Sequence, residues 1–397
     1  MKLTEAENAA LDHATNAMAA ANRLEYQHAS ELFAQAASVE GLDIPLQWQY
    51  RNQQALMLAE FGREFRNNTA LEDAIKLYEE TVLELAPQDE RPDDRAITQL
   101  QLGNALGLLG QRQRATFMLE RAIKVFENLL STRTREQVPL EWATTQDNYG
   151  NVLGTLGQRR GDTELLEKSV AAFENALKER TRDQVPMDWA ATQNNLGTAL
   201  QVLGQREKDP KLLKKSVDAY KSALHEWTRE RVPMSWATTF NNLGTVLRLL
   251  GETRKGPRTL EQSVAAFQNA LAERTRERVP QEWAMTQNNL GAALQSLGKR
   301  QGDPKFLAEA VTAYENALKE VTRERTAMGW AMTLANLGAA RMVLAEMTKH
   351  ADMALTALND FDEVVKYFQE ASHSQYMELA EEQRKNAQAL VSTLNEQ

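Results

Sequence analysis

The sequence predicts an all-α fold, a superhelical solenoid of stacked antiparallel helix pairs, on three observations. Pro45, Pro92, Pro139, Pro186, Pro233 and Pro280 stand 47 residues apart. Trp142, Trp189, Trp236, Trp283 and Trp330 keep the same interval. Within each interval, apolar residues recur at helical spacing. A period of this length marks one supersecondary unit that cannot bury its apolar face alone and must stack on its neighbours. The 397 residues then form one elongated array rather than two or three globules.

The first helix of each unit, helix A, is exemplified by Trp189, Leu196, Leu200 and Leu203, which advance by seven, four and three and define one face of a helix from Pro186 to about Gly204. Proline opens it and glycine closes it. Helix B begins at Asp209-Pro210, an N-cap acid before proline, carries Leu213, Val217, Tyr220 and Leu224, and ends near Thr228. Asp303-Pro304 repeats that start, Asp162-Thr163 keeps the acid, and Gly256-Pro257 keeps the proline. At about 19 residues each helix is roughly 28 Å long.

The early units are less regular. Ile44-Pro45-Leu46-Gln47-Trp48 opens the first, and Arg95 replaces the tryptophan in the second. Upstream, Ala29, Phe33 and Ala36 resemble a helix B in a half-degenerate unit. Downstream, Tyr376, Leu379, Gln383, Ala387, Leu390 and Leu394 form a largely apolar stripe expected to cover the last open face. The expected division is residues 1–40 as a degenerate cap, 41–371 as seven repeats of about 47 residues, and 372–397 as a C-terminal capping helix.

These residues resemble the tetratricopeptide repeat family. The pattern is carried by Leu196-Gly197, Leu200, Ser216, Tyr220 and Ala223, and recurs as Leu243-Gly244 with Ser263, Phe267 and Ala270 and as Leu290-Gly291 with Ala310, Tyr314 and Ala317. The resemblance implies a right-handed superhelix with helix A on the inner side. The unit is longer than the family's usual one and is similar to the extended variant of bacterial signalling proteins and kinesin-light-chain repeats. Gly103, Gly150, Gly197, Gly244, Gly291 and Gly338 lie inside helix A, where glycine costs about 1 kcal/mol relative to alanine. Close approach of helix B is the expected reason. Each tryptophan is expected to be core, its truncation costing roughly 3–5 kcal/mol.

An asparagine recurs before the Leu-Gly pair, Asn195, Asn242, Asn289 and Asn336, with Asn148 before Tyr149-Gly150 and Gln54 and Gln101 at the same place earlier. Asparagine is a mediocre helix former, so a ladder of them needs a reason. Two readings stay open: bonds between neighbouring helices, or, as the resemblance implies, a peptide's backbone held by two-sided amides. Asn194, Asn241 and Asn288 beside them, and Thr198, Gln201, Arg248 and Gln295 one or two turns on, are expected to share the inner groove. That surface is polar and nearly neutral and suits an extended chain or a helix. The family's carboxylate-clamp groove needs several cations on helix A, where this chain offers mainly Arg248.

Arg135, Arg182, Arg229, Arg276 and Arg323 recur past helix B, each beside an acid such as Glu136, Asp183 or Glu230. They are expected to offset helix C-terminal carbonyls and to pair with that neighbour. Arg112, Arg159, Arg206 and Arg300 form a second row after helix A. Residues 71–94 hold nine acids against two bases, a solvated face or a docking patch.

Composition excludes several classes. A net charge of -9 opposes phosphate attraction, so nucleic acid is not an expected partner. No segment reaches 18 apolar residues, and Glu5, Glu7 and Asp12 interrupt the start where a signal peptide needs an apolar run, so the chain is expected off the membrane and in the cytoplasm. Zero cysteines remove disulfides and thiolate sites. The five histidines have no metal-ligand spacing, and no nucleophile or phosphate-loop motif is present. The expectation is no enzyme, no cofactor and no metal. The expected role is an adaptor for a peptide or protein on the helix-A surface, or alternatively a regulatory module for a separate effector enzyme in signalling or defence.

Overall fold

The computed structural model describes residues 3–371 and 373–396. Residues 1, 2, 372 and 397, which belong to the two expected end segments, lie outside the described residues. The chain divides into two compact units, Met1–Val185 and Pro186–Gln397. Among the described residues all regular structure is helical.

The first unit contains α1 (Glu5–Asn22), α2 (Tyr26–Ala37), α3 (Ile44–Glu64), α4 (Asn68–Leu77), α5 (Pro92–Arg112), α6 (Phe117–Thr132), α7 (Pro139–Arg160) and α8 (Thr163–Ala176). The second contains α9 (Pro186–Glu207), α10 (Pro210–Glu226), α11 (Pro233–Glu252), α12 (Arg258–Leu271), α13 (Pro280–Gln301), α14 (Pro304–Leu318), α15 (Arg323–Thr348), α16 (Ala351–Glu370) and α17 (Ser374–Asn395). Each odd-numbered helix from α3 to α15 is a helix A and pairs with the even-numbered helix B that follows it.

The pairing chemistry is the same throughout. A Cβ on Gly103, Gly150, Gly197, Gly244 or Gly291 would stand 2.6–2.9 Å from the ring of Phe126, Phe173, Tyr220, Phe267 or Tyr314, and on Gly338 3.1 Å from Phe361. Glycine is there because an aromatic side chain of helix B lies against the bare backbone. Ser169, Ser216 and Ser263, one turn before that ring, donate to the carbonyls of Gly150, Gly197 and Gly244 at 2.7, 2.6 and 2.7 Å. Helix B carries the aromatic and the hydroxyl that together fix its depth.

Helix A runs longer than the sequence indicated. Gly157, Gly204, Gly251 and Gly298 do not close it; they are interior, and a Cβ there would strike Leu166, Leu213, Leu260 and Leu307 or the residue before within about 3.1 Å. The helices end later, at left-handed residues such as Gly161 (φ 66°), Lys208 (φ 54°) and Gly302 (φ 66°). The 22 residues of α9 make it about 33 Å long. The aspartates start helix B as expected: Asp162, Asp209 and Asp303 accept from the backbone N–H of Leu165, Lys211 and Lys305.

Two irregularities keep the repeat in register. Thr326, inside α15, has φ -149° and ψ 65°, matching Val232 and Val279 just before Pro233 and Pro280, although Ala327 replaces the proline. In the first repeat, Pro45 to Gly62 spans 17 residues where Pro92 to Gly110 spans 18, while Tyr78 to Pro92 spans 14 where Phe126 to Pro139 spans 13. The residue missing from helix A is regained in a π-helical turn, Tyr78–Val82, closed by Leu83 N–H donating to the Tyr78 carbonyl.

In the second unit α9, α11, α13, α15 and α17 touch one another in succession, whereas α10, α12, α14 and α16 make no comparable contact among themselves. Helix A therefore lines the inner, shorter side of that unit. In the first unit α3, α5 and α7 do the same.

Candidate functional site on the helix-A face

The expected groove residues lie on helices A: Asn148 on α7, Asn194, Asn195 and Gln201 on α9, Asn241, Asn242 and Arg248 on α11, Asn288, Asn289 and Gln295 on α13, and Asn336 on α15. Asn289 Nδ2 donates to Asn241 Oδ1 at 3.2 Å, and Asn336 Nδ2 to Asn288 Oδ1 at 3.5 Å. Asn241 Nδ2 donates in turn to Asn242 Oδ1 at 3.4 Å, and Asn194 Oδ1 accepts from the Thr239 hydroxyl at 3.2 Å. Asn241–Asn289 and Asn288–Asn336 thus form cross-helix rungs, each offset by 48 residues. Asn241 is buried, whereas Asn195, Asn242, Asn288, Asn289 and Asn336 are half-buried. Asn148, on α7, lines a shallow cleft with Gly103, Gly107 and Phe126.

The remaining candidates are drawn into their own repeats. Gln201 and Gln295 accept from the hydroxyls of Tyr220 and Tyr314 at 3.3 and 3.2 Å, so each orients the ring that packs on its glycine. Burial holds both tyrosine hydroxyls well above the ordinary phenol range. Arg248 pairs with Glu252, four residues on, at 2.6 Å.

The arginine and tryptophan rows differ from expectation. Trp142, Trp189, Trp236, Trp283 and Trp330 are half-buried, and four lie under guanidinium groups: Arg135 over Trp142, Arg229 over Trp236, Arg276 over Trp283 and Arg323 over Trp330, at 5.6–5.9 Å. These arginines pair with acids at or just past the end of the next helix B rather than with the adjacent acid. Arg229 meets Glu273 and Arg276 meets Glu320, each at 2.6 Å, and Arg135 meets Glu179. A turn between repeats points the side chain across the stack, so the partner is 44 residues away and not one.

The second row caps helices. Arg159 donates to the carbonyls of Gly110, Gln111 and Gln113 at 2.6–2.7 Å, and Arg112 to those of Gly62 and Arg63 at 2.7 and 2.9 Å. Each guanidinium satisfies the helix-A end of the preceding repeat. Arg95, in the tryptophan position, likewise donates to the Leu83 and Ala86 carbonyls at 3.2 Å. The acidic stretch is partly neutralised: Glu79 pairs with Arg121, Asp93 with Arg133 and Asp94 with Arg91.

One buried cation stands out. Arg180 and Arg274 occupy the same repeat position and are 8% and 4% exposed. Arg180 faces Asp147 at 3.7 Å. Arg274 donates to Thr286 and Thr238 at 3.0 and 2.9 Å, but its Nε has no acceptor, and the residue in the Asp147 position is Asn241. Burial pulls its guanidinium below the ordinary arginine value, against the field of Glu282.

Sequence reasoning missed the apolar end of the face. Met285, Met332 and Leu379 follow at intervals of 47 and are 51%, 51% and 59% exposed. The expected covering stripe of α17 is rotated: Ala380, Ala387 and Leu394 are its buried residues, and Leu379 is open. The register itself carried the signal, since α9 and α11 have Ala191 and Thr238 where the methionines stand.

Among the described residues no cluster of three or more histidines, aspartates or glutamates could hold a metal, and no helix is long and apolar enough to cross a membrane. Residues 283–321, covering nearly all of the Trp283 helix pair, match the family model described as tetratricopeptide repeat. The same glycine-to-ring contact recurs in every other pair from α5 to α16. The matched segment is a tetratricopeptide repeat. No curated protein matches it significantly. Solved structures similar to the chain include the C-terminal part of a TPR repeat-containing protein from Cytophaga hutchinsonii, 12% identical, covering 76% of this chain and 92% of that one with a TM-score of 0.47. A Rap protein complexed with Competence and Sporulation Factor is 12% identical over 98% of this chain and 99% of that one, TM-score 0.49. BtubC from P. vanneervenii is 16% identical over 68% and 91%, TM-score 0.35.

Proposed function

We propose that the chain is a protein-interaction scaffold that binds a peptide segment or partner protein along its helix-A face, in the cytoplasm and without chemistry of its own. Its domain organisation in this reading is seven repeats over residues 41–371 between an N-terminal cap and a C-terminal capping helix. The observation that carries the reading is the amide ladder. Asn289 and Asn336 each spend their Nδ2 on the preceding helix A, which fixes the plane of the amide, and each remains half-buried with its Oδ1 accepting no hydrogen bond among the described residues. Pre-oriented amides spaced along successive helices suit the repeated N–H groups of an extended main chain. A fixed amide also loses less entropy on binding than a mobile one.

The near-neutral chemistry of this surface supports a main-chain ligand over an anion or a metal, since Arg248 is engaged with Glu252. The test is a pull-down from native lysate with wild type beside a variant carrying Asn242→Ala, Asn289→Ala and Asn336→Ala, both checked by circular dichroism. Capture by wild type and loss by the folded variant is expected. Equal capture by both overturns the reading.

A further inference from the structure

The helix-A face of the second unit ends in a cleft of about 370 Å³ between α15, α16 and α17. Its floor is Phe361, Val364 and Phe368, and its walls include Met332, Leu379 and Tyr376. The volume falls toward the lower end of the roughly 300–1,000 Å³ of pockets that hold ligands. Two amides stand at the lining, Asn336 and Gln383. Asn336 is also the last rung of the amide ladder, through its bond to Asn288. The cleft is therefore continuous with the proposed peptide track. Met285 extends the apolar surface from α13, and methionine side chains adapt to partners of varied shape.

The charges flanking the cleft residues in sequence are mainly acidic, with Lys385 on α17 also exposed. Glu282 lies one turn before Met285, Glu378 adjoins Leu379, and Glu382 adjoins Gln383; all three are exposed and in no ion pair among the described residues. The nearby arginines are engaged: Arg341 with Asp360 and Glu315 at 2.7 Å each, and Arg384 with Asp362 at 2.6 Å. An apolar pocket with an unpaired carboxylate such as Glu382 next to its lining in sequence favours an apolar side chain with cations close by.

We propose that this cleft is an anchor pocket for a bulky apolar side chain of a peptide segment bearing lysine or arginine within two positions of it. The proposal rests on the helix-A binding reading and names the chemistry of its ligand. The segment runs along the asparagine rungs and ends with its anchor between Met332 and Leu379.

The experiment is selection of a random heptapeptide display library against the full chain, followed by fluorescence anisotropy of the enriched peptides. The proteins compared are wild type, Leu379→Asp, Met332→Asp, Glu382→Lys, and the triple asparagine variant. Leu379 and Met332 are more than half exposed, so their substitution leaves folding intact, checked by thermal melting. Enriched peptides are expected to carry Phe, Leu, Met or Trp beside Lys or Arg, to bind Leu379→Asp and Met332→Asp at least tenfold more weakly, and to bind Glu382→Lys severalfold more weakly. Enrichment of acidic or wholly polar peptides, no enrichment, or peptides indifferent to Leu379→Asp overturns the proposal. Peptides lost by the asparagine variant but kept by Leu379→Asp overturn the pocket alone and leave the groove reading standing. Sedimentation closes the remaining arm: a wild-type dimer that Leu379→Asp dissociates makes the occupant a second copy and also overturns the proposal.

Discussion

Asn289 donates its Nδ2 to the Oδ1 of Asn241 across 3.2 Å, joining two helices A through residues 48 apart in sequence. Asn241 is 5% exposed, so removing its donor leaves a buried acceptor unpaired. Asn289→Ala should cost roughly 1–2 kcal/mol in urea unfolding, because a buried polar group without its partner keeps its desolvation penalty. An unchanged midpoint would show that this rung contributes nothing to the stack.

Gly244 reads as a helix weakness, and its replacement by alanine should raise intrinsic propensity by about 1 kcal/mol. The Cβ would nonetheless stand 2.8 Å from the Phe267 ring. Overpacking of this kind costs about 1–3 kcal/mol, so Gly244→Ala is expected to lower the melting temperature. Adding Phe267→Leu should recover part of the loss, and a melting temperature above wild type for the single variant would contradict the packing account.

Arg274 lacks the carboxylate that Asp147 offers Arg180. Asn241→Asp supplies it at the equivalent place while keeping an oxygen for Asn289. The variant should melt higher than wild type, by an amount equivalent to about 1 kcal/mol, since an uncompensated buried cation is costly. A lower melting temperature would mean that the Thr238 and Thr286 hydroxyls already satisfy the guanidinium.

Glu273 takes hydrogen bonds from Arg229 and Arg278, which hold its carboxyl below the ordinary glutamate value of 4.5. The folded value being lower than the unfolded one, the stabilisation is present above about pH 4.5 and is lost as pH falls through the folded value. Glu273→Gln should therefore flatten the acid limb of the stability curve and leave the slope above pH 6 unaltered. Parallel curves for the two proteins would remove the ion pair from the account.

Much of the fold was legible because its causes are local or periodic. Asp209 before Pro210 starts a helix by short-range chemistry, and Gly197 in a helix interior points to a close neighbour whatever that neighbour is. Helix ends were less legible: Gly204 looked like a terminator and is a packing residue, since sequence cannot distinguish glycine chosen for φ from glycine chosen for size. The arginine pairings are hidden in the sequence for a different reason. Arg229 has Glu230 beside it, yet side-chain direction at the turn sends it to Glu273, and direction is a property of the stack. The asparagine rungs were seen as a pattern, but which amide meets which depends on a 48-residue offset that a 47-residue repeat does not announce. Leu379 falls on the expected covering stripe of α17 yet is open, because a stripe has a face but no indication of what lies opposite.

The most direct test of a helix-A binding face is site-specific photo-crosslinking. A benzophenone amino acid would replace Met285 on α13 in one protein and Glu309, exposed on α14, in another, and each would be irradiated in native lysate. The account predicts a discrete crosslinked partner from position 285 and none from position 309. Crosslinking from position 309 alone, or from neither, would contradict it.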